Sequence, residues 1–143
     1  MRIALAAMAL AITACSAQEE ASVPGDSGDT QAFDAIAANE TLRVTGTEPF
    51  WGGTIAGGIF TYTTPENIEG EAIAVDRFAG RGGLSFSGER GGQELDLAIT
   101  PTQCSDGMSD RTYPFAATLM IGAETREGCA WTDANPFDGP LQP

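Results

Sequence analysis

Residues 104–115, CSDGMSDRTYPF, gather the densest set of reactive side chains in this 143-residue chain: Cys104, Asp106, Ser109, Asp110, Arg111 and Tyr113. Several chemistries suit such types. Asp106 and Asp110, helped by Ser105 and Ser109, offer oxygen ligands to calcium. A calcium loop, however, repeats its carboxylates as Asp-x-Asp-x-Asp-Gly, and DGMSD carries them only at its ends. The same two acids, or either with Glu48, would be the carboxylate pair that glycoside hydrolysis needs across a cleft. Cys104 as a thiolate would be a nucleophile, but Asp106 and Asp110 oppose thiol ionisation while Arg111 favours it. A fourth reading needs no substrate. Asp106-Gly107 is a turn pair, and Asp and Ser side chains cap turns. Arg111 then forks onto a carboxylate, with Glu48 and Asp110 as candidates. This self-satisfied loop is the expected one, and a binding rim comes next.

The missing residue types exclude more than the present ones suggest. The chain has no histidine, and all seven basic residues are arginine. That removes an imidazole base, a Ser-His-Asp triad and a histidine metal ligand. It also removes a side-chain Schiff base and a phosphate-loop lysine. No metal or other cofactor is implied. Twenty acidic residues give a net charge of −13, which argues against nucleic acid and against an electrostatic grip on anionic lipid.

A second polar motif is GTEPFWGGTI, residues 46–55. Phe50 and Trp51 are large enough to dominate one end of a small core. An exposed Phe-Trp pair beside Glu48 would make a ligand platform. The favoured expectation is that Trp51 plugs a barrel and Glu48 hydrogen-bonds across its mouth.

The N-terminus, MRIALAAMALAITACS, is an address. Arg2 is a short positive region, and the uncharged run of residues 3–14 is too short for a permanent span. It reads as a secretory signal. The run ends in Ile12-Thr13-Ala14-Cys15, which resembles a bacterial lipobox: residues 1–14 are removed and Cys15 is lipidated. Two or more acyl chains make a stable anchor. Ser16 follows the cysteine, and resemblance to Gram-negative lipoproteins then favours the outer membrane, with the domain in the periplasm. Residues 15–32, rich in Ser, Gly, Ala, Pro and acids, read as an acidic tether.

The elements that must position the polar motifs begin beyond the tether. Residues 32–40, AFDAIAANE, suggest a short helix with Phe33 and Ile36 on one face. From residue 42 the texture is short β runs broken by glycine. Strands are expected at 42–45, 52–55, 58–62, 71–75, 83–87, 94–100, 115–121 and 125–131. LDLAI and FAATLMI alternate in phase, and AGG, TPEN, AGRGG, ERGG and IGAET mark turns. About eight short strands make an all-β fold, a small antiparallel barrel or sandwich over residues 33–133, followed by a C-terminal tail over 134–143. With Cys15 lipidated, Cys104 and Cys129 remain. In an oxidising compartment they form one structural disulfide.

Four pieces in order, GTEPFW, YTTPEN, CSDGMSDRTYPF and GCA, resemble an uncharacterised family of proteobacterial envelope lipoproteins. The likeness runs from Leu42 to Trp131 and implies a β-rich fold and an envelope location. The chain is also distantly similar to the periplasmic lysozyme-inhibitor lipoproteins, small disulfide-stapled β-barrels, although its loop has no lysine. The expectation is therefore a non-enzymatic binding or envelope-stress module. Its partner is a periplasmic protein or small ligand, a lysozyme inhibitor's role being one version. A carboxylate-based hydrolase using Asp106, Asp110 or Glu48 is the alternative.

Overall fold

The computed structural model describes residues 31–141. The signal peptide, Cys15 and nearly all of the tether lie outside the described residues. The rest is an eight-stranded antiparallel barrel: β1 (Leu42–Thr47), β2 (Phe50–Ala56), β3 (Ile59–Thr64), β4 (Asn67–Ala79), β5 (Leu84–Arg90), β6 (Gln93–Thr100), β7 (Phe115–Ile121) and β8 (Glu124–Trp131). Each strand pairs with the next, and β8 closes onto β1. The cause is the period-2 pattern. In β6, Leu95, Leu97 and Ile99 are buried while Asp96 and Ala98 face out. In β7, Phe115, Ala117, Leu119 and Ile121 turn in. A barrel of eight strands is just wide enough for such side chains to fill it. Glycine pairs make two of the hairpins. Gly57-Gly58 and Gly91-Gly92 hold φ between 56° and 79°, the left-handed pair that tight two-residue turns require.

All eight expected strands are present, most of them longer than the sequence suggests. The largest change is β4, which extends four residues beyond the expected 71–75 at each end and carries Ile68 and Phe78, 79% and 68% exposed, in those extensions.

The expected helix over 32–40 is not formed, and the described residues contain no helix. The segment instead closes one barrel end. Ile36 is buried, and Phe33 meets Phe115 edge-on at 6.2 Å. Its backbone is fixed from outside: Phe33 N donates to Gly80 O at 2.8 Å, and Arg77 Nη2 donates to Ile36 O at 2.8 Å. So short a helix is marginal by itself, and burial of two apolar side chains on the barrel outweighs it.

Candidate functional site

Cys104 and Cys129 are joined, with their Cα atoms 5.6 Å apart. Cys129 points outward from β8 and would be exposed without the 104–111 loop that the bond pulls over it. The tail clamps the same wall. Thr112 and Asp138 exchange backbone hydrogen bonds at 2.8 and 2.9 Å, and Phe137 packs on Tyr113 and Trp131.

Asp106 is the hub of the loop. Its Oδ1 accepts from the amides of Met108 (3.0 Å) and Ser109 (2.8 Å). Its Oδ2 accepts from the Ser109 hydroxyl (2.6 Å) and the Tyr113 hydroxyl (3.2 Å). Partial burial pushes its carboxyl up, but these four donors outweigh burial and hold it at about 2. Thr47 Oγ1 donates to Asp106 O at 3.0 Å, tying the loop to the end of β1.

Arg111 forks onto no carboxylate among the described residues. Its Nε donates to Pro140 O at 2.7 Å, its Nη2 donates to Leu141 O, and its guanidinium lies 4.7 Å over Phe137. The folded-back tail supplies carbonyls that spacing alone could not indicate. Asp110 and Glu48 are exposed, and among the described residues the expected Glu48 hydrogen bond across a mouth is not made. Among the described residues no three His, Cys, Asp or Glu side chains come together to hold a metal ion.

Phe50 and Trp51 do not act as a pair. Alternation sends Trp51 into the barrel and leaves Phe50 53% exposed. The indole bridges a split seam. Pairing of β1 with β8 stops at Thr45–Cys129, and above it Trp51 Nε1 donates to Glu127 O at 3.1 Å. The approach is so close that a Cβ on Gly46 would stand 2.0 Å from Nε1, and one on Gly128 would stand 2.2 Å from Thr45 O. Outside this seam runs a groove of about 840 Å³, with Thr47, Glu48, Ser105, Asp106, Met108 and Glu127 in its walls.

A second cluster, which the sequence motifs do not mark, lies inside the barrel at the end opposite Ile36. Arg90 from β5 and Arg126 from β8 converge on Tyr62 of β3, 5.0 and 6.0 Å from its ring centre. Arg126 also donates to the Tyr62 hydroxyl. Glu71 binds Arg90 Nε at 2.8 Å, and Glu124 binds Arg126 Nη2 at 2.9 Å. Strand parity is the signal that would have found them: Arg90 is in phase with Leu84 and Phe86, and Arg126 with Ala130.

No protein-family model matches the chain, and neither a curated protein nor a solved structure does.

Proposed function

We propose that this protein is a periplasmic binding module without catalytic activity, anchored to the outer membrane through a lipidated Cys15. The lipobox-like N-terminus supports the location, and the resemblance to envelope lipoproteins agrees with it. The observation that carries the binding reading is the state of Asp106. Its carboxylate is engaged by four donors inside its own loop and is held at about 2. A general acid needs the opposite shift, upward toward the working pH, so the hydrolase alternative is the weaker one. The donors make the loop a rigid rim. It presents Met108, 69% exposed, beside Glu48 and Glu127 at the seam groove. A rigid acidic rim on a −13 protein steers toward cationic protein partners.

A cationic lysozyme is the concrete partner to test. The mature chain with Cys15→Ser, at micromolar concentration, is expected to slow cell-wall lysis by at least one lysozyme. The effect should weaken in Glu48→Gln/Glu127→Gln. Unchanged lysis with every lysozyme tried removes the inhibitor role. The anchor is tested separately, since labelled palmitate should enter the wild-type chain and not the Cys15→Ser chain.

A further inference from the structure

We infer that the barrel mouth around Arg90, Arg126 and Tyr62 is a binding site for a small organic anion, a carboxylate carried on an apolar body. The inference is independent of the seam groove and of its partner.

Four observations carry it. The first is placement. The chain has seven arginines in 143 residues and a net charge of −13, yet two of them turn inward at one barrel end, within 6.0 Å of a single ring. Inward positions of so small a barrel are normally apolar. Two guanidiniums there would be costly as filler.

The second is unused donor capacity. Arg90 engages a carboxylate only through Nε, and both of its terminal nitrogens lack a protein acceptor among the described residues. That pair is the fork that grips a carboxylate. Arg126 keeps an orphan as well: its Nε is closed off from solvent and has no acceptor. Native proteins seldom leave such a donor unmatched. A turn of the guanidinium toward an incoming anion would satisfy it.

The third is the space. A cavity of about 470 Å³ opens over these groups, within the range of small-molecule sites. The fourth is the rest of the lining. Pro49, Phe50 and Pro65 share the cavity with the two arginines, and Phe50 is the residue that strand parity leaves outside the core. An apolar lining beside two guanidiniums suits a ligand with one charged end. A bare inorganic anion would leave that lining against water.

Glu71 and Glu124 each neutralise part of one arginine, and Glu66 also lines the cavity. Glu66 opposes an anion without contacting either arginine. Its sign therefore separates an anion site from a cation site.

The test is an NMR titration of the mature chain with benzoate, read on the arginine Nε–H signals. Benzylamine and inorganic phosphate are the controls. The expected result is a saturable millimolar response confined to the Arg90 and Arg126 signals. Arg90→Gln should weaken it at least about tenfold, and Glu66→Gln should strengthen it about twofold. Arg90 is 36% exposed against 17% for Arg126, so its substitution leaves the fold measurable even where Arg126→Gln does not. The inference is overturned by no saturable response at about 10 mM benzoate, by benzylamine moving the same signals as strongly, or by an Arg90→Gln affinity equal to wild type. Phosphate binding as tightly as benzoate also overturns it, because the apolar walls would then contribute nothing.

Discussion

Replacing Asp106 by Asn tests the central claim about the loop, because it removes a charge and little shape. Asn keeps one carbonyl acceptor, enough for the amides of Met108 and Ser109. Its amide nitrogen then meets the Ser109 and Tyr113 hydroxyls, which can turn to accept. What is lost is the charge that strengthens four hydrogen bonds. The carboxyl falls from an ordinary 3.8 to about 2. At about 1.36 kcal/mol per tenfold change this is ~2.4 kcal/mol at most. Water reaches part of the loop, so about 1 kcal/mol is the expected loss. Relief of self-repulsion in a −13 chain acts the other way and keeps the figure low.

The pH dependence gives the sharper assay. The folded value lies below the unfolded one, so the contribution is full above about 4. It fades as the pH falls toward about 2. The other nineteen acids titrate in both proteins, and the difference between wild type and variant isolates this one group. Denaturant unfolding followed by Trp51 and Trp131 fluorescence should show Asp106→Asn less stable at pH 7, with the two proteins converging between pH 4 and pH 2. A difference of zero at pH 7, or one that stays constant on acidification, would refute the view that the loop is held together by its own carboxylate.

Two further substitutions probe the frame around the loop. Cys104→Ala/Cys129→Ala opens a closed loop with a sequence separation of 25 and should lower unfolding stability by about 3 to 3.5 kcal/mol in the chain-entropy picture, read by thermal or denaturant melts. Gly46→Ala places a methyl 2.0 Å from the Trp51 indole nitrogen and 2.5 Å from Glu127 O. It should cost about 1 to 3 kcal/mol by overpacking and shift the Trp51 emission as the indole leaves Glu127.

The barrel was legible in the sequence because its signal is local. Alternation in LDLAI and FAATLMI and the glycine turns each lie within a few residues. The disulfide was legible because reading Cys15 as the lipobox cysteine leaves one pairing for the other two. Partners set by chain return were not. Arg111 lies 29 residues before Pro140, its acceptor, and nothing in DGMSDR indicates that the tail comes back. Residues 32–40 failed for a related reason: Phe33 and Ile36 have helical spacing, but the barrel end, not a helix face, is what buries them. The arginine mouth escaped because Arg90 and Arg126 sit on strands five and eight and share only an inward parity. Reading parity through to the strand ends would have placed both inside.

The two surfaces are arranged about a single turn. Glu48 lines the seam groove, while Pro49 and Phe50, the next two residues, line the mouth. The Glu-Pro-Phe turn is therefore the wall between an acidic exterior and an arginine-bearing interior. The opposite end is closed by residues 33–36, which lie against Gly80 and Phe115, and the chain enters the barrel from that side. On the proposed reading the tether leads from there to the membrane, so mouth and loop rim both face away from it. The rigidity of the loop then has a use beyond stability. A rim fixed by Asp106, Tyr113 and the disulfide holds the end of β1 through Thr47, and with it the turn on which both surfaces depend. Loosening the loop by Asp106→Asn should for that reason weaken benzoate binding at the mouth as well, though none of the loop's side chains line it.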